Sequence, residues 1–115
     1  MKRSGLLLAL LVIAMMSTPG CGSARRGEPF NGPLVIQDQQ LALGQRAFMT
    51  SCHQCHPGGM AGLGPAINNK PLSGAMIKMQ TRAGLGAMPG FSSSELSEED
   101  LDAVVAYLKA LRKHG

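Results

Sequence analysis

Cys52-His53-Gln54-Cys55-His56 decides how this chain reads. Cys-x-x-Cys-His is the pattern through which a c-type haem is covalently attached. The spacing has a physical reason. Residues three apart on a helix share a face, so Cys52 and Cys55 can both reach one flat ligand and form thioethers to its two vinyl groups. His56 follows the second anchor and can place its imidazole under the iron. Two other chemistries use paired cysteines. Structural zinc needs four ligands, usually from two such pairs, and the only other cysteine, Cys21, is distant. A dithiol redox centre sits on a βαβ unit, and no alternating β pattern surrounds this motif.

Outward from the motif the chain reads as helices joined by Gly/Pro-rich loops. Residues 38–51 form the first expected helix, with Asp38 as N-cap and an imperfect apolar face of Leu41, Leu43, Gln45, Ala47 and Phe48. Gly44 inside it costs about 1 kcal/mol relative to alanine, which implies that another helix approaches closely there. Pro57-Gly58-Gly59 breaks the chain after the motif. Residues 60–69 read as loop, and residues 73–83 as a short helix carrying Met76, Ile77 and Met79, stopped by Gly84 and Gly86. Ser97 caps the last helix, with Glu98, Glu99 and Asp100 in its first turn. Leu101, Val104, Val105, Leu108 and Leu111 follow the helical i, i+3, i+4, i+7 rule. Lys109, Arg112 and Lys113 place positive charge at its end.

A haem ligated by His56 needs a second axial ligand if it is six-coordinate, and neutral sulfur favours ferrous iron. Met49 and Met60 lie too near the attachment site to pass over the opposite face. Met76 and Met79 stand at helical spacing, where a core role is expected. Met88 lies in the irregular loop Leu85-Gly86-Ala87-Met88-Pro89-Gly90-Phe91, which can wrap the far side of a ring. Pro89 stiffens that turn. Met88 is therefore the expected ligand; His53 and His114 are the alternatives.

The N-terminal part has a different character. The chain of 115 residues holds at most one small domain. Lys2 and Arg3 precede an apolar run from Leu6 to Met16, which is shorter than the roughly 20 residues a membrane-spanning helix needs and fits the core of an export signal. Ser17-Thr18-Pro19-Gly20-Cys21 resembles a bacterial lipoprotein processing site, with Thr18 where such sites prefer Leu. Residues 1–20 are then a cleaved signal peptide and Cys21 the lipidated first residue; ordinary cleavage after Ala24 is the alternative. Several acyl chains on one residue anchor firmly. Residues 21–37, rich in Gly, Pro and charge, read as a flexible tether reaching at most about 53 Å. The domain proper is 38–115. The net charge of +4 includes Lys2 and Arg3, and two ionised haem propionates would bring the remainder near neutrality. With no tryptophan and no basic stripe interleaved with aromatics, nucleic-acid binding is not expected. Few aromatics within a 44% hydrophobic share fit a small core completed by a bound ring.

Taken together, residues 38–113 resemble a bacterial class I monohaem cytochrome c. Gly44-Gln45-Arg46-Ala47-Phe48 is similar to that family's first helix, in which a glycine and an aromatic cross the last helix. Val104, Tyr107 and Leu108 resemble the facing surface. Gly64-Pro65 resembles the loop whose proline carbonyl accepts the Nδ1 proton of the ligand histidine, a bond that fixes its tautomer. Met88-Pro89 resembles the ligand methionine and its following proline. The resemblance implies an all-α fold of three main helices wrapped around one covalently bound haem c. The missing tryptophan leaves the propionates without a partner many relatives use; Arg82 is the expected substitute, with Lys70, Asn68 and Asn69 behind it.

The function implied is electron transfer rather than catalysis. With His56 and Met88 both on iron, no substrate position remains, and redox partner proteins would dock through small, weak interfaces. The expected place is the periplasmic side of a bacterial membrane, lipid-anchored or else soluble, as a monomer or a small subunit of a complex. The rivals are a haem subunit of a periplasmic oxidoreductase, and a ligand sensor or enzyme in which Met88 is displaceable.

Overall fold

The structure, a computed structural model, describes residues 32–114. The expected signal peptide, Cys21 and the first part of the expected tether lie outside the described residues. Among the described residues there are three α-helices, α1 (Gln39–Ser51), α2 (Gly74–Ala83) and α3 (Glu98–His114), with a 3₁₀ turn at Pro57–Gly59. Each helix begins where a side chain can take up an unpaired amide. Asp38 is extended and its Oδ1 accepts from Leu41 N at 2.7 Å. Ser73 Oγ accepts from Met76 N at 3.2 Å. Ser97 Oγ accepts from Asp100 N at 3.0 Å and donates to Asp100 Oδ2 at 2.9 Å. The α3 dipole is matched by acids in the first turn and by Arg112, Lys113 and His114 in the last.

The core is the crossing of α1 on α3. Phe48 is fully buried against Val104, Tyr107, Leu108 and Leu111. Its ring stands 5.4 Å from that of Tyr107, tilted by 52°. Gly44, one turn before Phe48, permits the approach: a Cβ there would lie 2.1 Å from the Ala103 carbonyl oxygen and 2.9 Å from Tyr107 Cβ. Tyr107 buries its body here, and desolvation raises its phenol pKa, partly offset by a hydrogen bond with Gln45. α2 joins more loosely. Ile77 packs on the core, and two ion pairs, Lys78 with Asp102 and Arg82 with Glu98, link α2 to α3. Both partners in each helix are four residues apart, so the pairs form a short ladder.

Three expectations change. The first helix ends at Ser51 as expected, but Cys52–Cys55, whose three-residue spacing fits a helix, form a turn. Residues 32–37, expected as part of the tether, lie on the domain: Leu34 and Ile36 pack against the core, and His114 Nε2 lies 2.9 Å from the Gly32 carbonyl. Alternation explains the docking, since Leu34 and Ile36 turn inward while Val35 is 68% exposed. Met76 and Met79, expected in the core, are exposed, because Ile77 and Thr81 occupy the inner face of α2.

The crossing makes a direct prediction. Gly44→Ala has no flexible side-chain end to displace, only the Ala103 carbonyl, and should cost about 3 kcal/mol through overpacking. Thermal unfolding followed by circular dichroism checks it; a melting temperature unchanged from wild type would exclude this crossing.

Candidate haem-attachment site

The site begins where α1 ends. The Phe48 carbonyl accepts from both Cys52 N (2.8 Å) and His53 N (3.0 Å). The Cys52 carbonyl in turn accepts from Cys55 N (3.2 Å) and His56 N (2.9 Å). The cysteines thus stay one turn apart, although the regular helix has ended. Pro57 opens the 3₁₀ turn, and Gly58 and Gly59 take φ of 62° and 84°, values that favour glycine. Gly58 N donates to His53 Nδ1 at 3.0 Å. His53 is therefore engaged within the attachment loop itself.

His56 is 7% exposed, with Nδ1 2.7 Å from the Pro65 carbonyl oxygen. A carbonyl only accepts, so Nδ1 carries the hydrogen and Nε2 keeps the lone pair. That is the tautomer a ligand histidine needs. The segment supplying the carbonyl is itself tied back: Gly64 N donates to the Cys55 carbonyl at 2.9 Å, and Gly62 N to the Gly64 carbonyl at 2.9 Å. Gly64 lies flat against the imidazole, where a Cβ would stand 2.4 Å from Cε1. Farther along, the Gly59 carbonyl receives Ile67 N and Asn68 N at 2.8 and 3.0 Å. Asn68 is buried, and neither its Nδ2 nor its Oδ1 has a protein partner.

Cys52 and Cys55 are free thiols, both half-buried. Burial, and then the neighbouring Cys55, push the Cys52 thiol up to about 11. Dithiol catalysts depend on a lowered thiol pKa, so the shift runs against that rival. Among the described residues no group of three or more His, Cys, Asp or Glu could hold a metal ion, so the zinc reading lacks a donor set there.

Met88 lies in the loop between α2 and α3, half-buried. Leu85 and Met88 exchange two backbone hydrogen bonds of 3.0 Å each. Gly84 (φ 73°) and Gly86 (φ 57°) supply the left-handed positions of this turn. Arg82 is placed differently from its expected propionate contact. Its Nη1 lies 3.0, 3.0 and 2.8 Å from the carbonyls of Phe91, Ser92 and Leu96, and its Nη2 is 2.5 Å from Glu98 Oε1. The charged fork is thus committed within the protein. Nothing in local sequence periodicity announces these long-range bonds; the only advance signal is the matched four-residue spacing of Lys78 and Arg82 with Glu98 and Asp102. Lys70, another propionate alternative, offers its carbonyl to Arg112.

The donor set fits a covalently held haem. Two thiols one turn apart are followed by an imidazole whose outer nitrogen is free, and large apolar side chains (Leu63 88%, Leu85 69% and Met79 58% exposed) remain uncovered by protein. The family described as cytochrome c oxidase, cbb3-type, subunit III, matches residues 39–108. The chain belongs to this cytochrome c family. Its three cysteines permit a single Cys-x-x-Cys-His, hence one haem c. The cytochrome c subunit of 4-cresol dehydrogenase (hydroxylating) from Pseudomonas putida is 35% identical over 74 residues, covering 64% of this chain and 65% of that one. Cytochrome c6 of Synechocystis sp. is 36% identical over 76 residues, covering 59% and 62%. Cytochrome c6 of Cyanidioschyzon merolae is 34% identical over 83 residues, covering 65% and 78%. The cytochrome thus spans just under two thirds of the length of the first two relatives.

Gly64→Ala should drive a methyl into the His56 ring and destabilise the haem-loaded protein by about 2 kcal/mol, a fall of roughly 10 °C in melting temperature for a domain of this size. The attached haem should stay in place, because the thioethers do not involve Gly64. Melting followed at the Soret band, with a denaturing haem assay alongside, measures both; loss of neither would mean that Gly64 does not pack on His56.

Proposed function

We propose that this cytochrome c domain is a one-electron carrier on the outer side of a bacterial membrane. The observation that carries the reading is the hydrogen bond from His56 Nδ1 to the Pro65 carbonyl. It holds the imidazole in one tautomer and leaves Nε2 as the only ring nitrogen with a lone pair to offer iron. Haem, when bound, supplies exchange of a single electron between ferric and ferrous iron.

The chain's residues do the rest. Cys52 and Cys55 hold the ring as thioethers, so the cofactor does not dissociate between partners. His56 would ligate the iron through Nε2, and the Pro65 carbonyl keeps its ring oriented. Met88 would provide neutral sulfur as the second ligand, favouring the reduced state. A haem held by both His56 and Met88 would leave no place for a substrate, which supports a carrier over an enzyme. Redox partners would dock through small, weak interfaces, which suit a brief encounter.

A second reading places the same domain as the haem subunit of an oxidoreductase. Similarity to the cytochrome c subunit of 4-cresol dehydrogenase supports it. Cleavage before Cys21 with lipidation there would hold either form at the membrane, on a tether shortened by the docking of residues 32–37. Mass spectrometry of the native protein, reporting haem, cleavage site and lipid together, tests that arrangement.

Met88→Ala tests the axial pair. The near-infrared sulfur-to-iron band of the ferric protein should vanish, and the reduction potential should fall by on the order of 100 mV. An unchanged band would remove Met88 from the iron. A Cys52→Ala/Cys55→Ala chain should be largely unfolded, since a domain this small needs its cofactor as core. A cooperative melt in that variant would show that the protein folds without haem.

A further inference from the structure

We infer that Arg82 is the positioning residue of the Met88 ligand loop: its guanidinium closes the neck of that loop and so keeps the methionine on the iron. The inference rests on the reading of Met88 as an axial ligand.

The loop leaves α2 at Ala83 and returns at Phe91. Its interior is short of fastenings, with the paired bonds between Leu85 and Met88 fixing only the tip. Gly84 and Gly90 allow the two sides to touch: a Cβ on Gly84 would lie 2.7 Å from Gly90 N, and one on Gly90 would lie 2.5 Å from the Arg82 carbonyl oxygen. Two kinds of contact close the neck. One is a backbone bond, Phe91 N to the Thr81 carbonyl at 2.9 Å. The other is Arg82, whose Nη1 reaches the carbonyls of Phe91, Ser92 and Leu96 while Nη2 pairs with Glu98 at the start of α3.

These bonds are charge-assisted and their donor is only 25% exposed, which places them among the stronger hydrogen bonds. The carbonyls they satisfy lie on the returning strand of the loop, and the carboxylate lies on the helix that carries the core. Arg82 therefore ties α2, the loop's return and α3 at one point. Without it the neck retains a single backbone bond and the glycine contacts, and Met88 gains freedom to leave. A lysine could not replace the fork, because one ammonium cannot span three carbonyls and Glu98 together. The second ion pair, Lys78 with Asp102, joins the same helices but touches no residue of the loop. It supplies the control.

The test is made on the haem-loaded protein, with imidazole as the probe that competes for the methionine's position on ferric iron. Arg82→Ala should raise the apparent imidazole affinity by about tenfold or more, as expected for losing charged hydrogen bonds, and should weaken the near-infrared sulfur-to-iron band. Arg82→Lys, which is better able to fold, should fall between Arg82→Ala and wild type. Lys78→Ala should lower the melting temperature slightly and leave both the band and imidazole affinity at wild-type values. If both Arg82 variants bind imidazole like wild type, or if Lys78→Ala changes affinity as much as they do, Arg82 merely docks helices and the inference is overturned. Met88→Ala separates the two readings. If it leaves the band intact, the Met88 ligation itself is wrong; if it abolishes the band while the Arg82 variants keep it, only the Arg82 assignment fails.

Discussion

The approach of Gly44 to the backbone of Ala103 constrains everything after it in the chain. Two helices can come this close only where one lacks a side chain. That approach puts Phe48 one turn later into the pocket made by Val104, Tyr107, Leu108 and Leu111. Once Phe48 is buried, its carbonyl has a fixed position, and that oxygen receives the amides of Cys52 and His53. The haem motif is therefore hung from a core residue by backbone bonds. Its geometry follows from helix packing, and Cys52 and the His53 ring pack on the same core.

The two sides of the site are held by different means. On the His56 side, backbone does the holding: the 3₁₀ turn, the bond from Gly64 to Cys55, and the Pro65 carbonyl on the imidazole. Such bonds are local and survive most side-chain substitutions. On the Met88 side the loop is longer and turns on glycines, and a guanidinium ties its neck to α3. Side-chain fastenings of that kind depend on one residue. The Met88 loop is therefore the half of the site whose shape depends on a single side chain.

The cysteine chemistry fits the same division. Burial raises the Cys52 thiol pKa to about 11, which leaves little thiolate at neutral pH. It is the reverse of the depressed pKa on which dithiol exchange depends. The apolar side chains of Leu63, Leu85 and Met79 are exposed around a chain otherwise short of aromatics. Together these features describe a protein whose core is completed by its cofactor.

Much of this was legible in order along the chain. The Cys-x-x-Cys-His motif, the caps at Asp38 and Ser97, the glycine in the first helix and the periodicity of the last are all local patterns, and the structure places helices where they point. Local patterns are readable because capping, helix propensity and side-chain periodicity act over a few residues. Tertiary structure decided what depends on distant partners. It bent the cysteine motif into a turn, folded Leu34 and Ile36 onto the core, left Met76 and Met79 in the open, and turned Arg82 toward the carbonyls of Phe91, Ser92 and Leu96. Each of these outcomes compares one segment with alternatives far away in sequence. An arginine beside a loop reads the same whether it faces a propionate or three carbonyls; only the folded arrangement brings one set of acceptors within hydrogen-bonding reach.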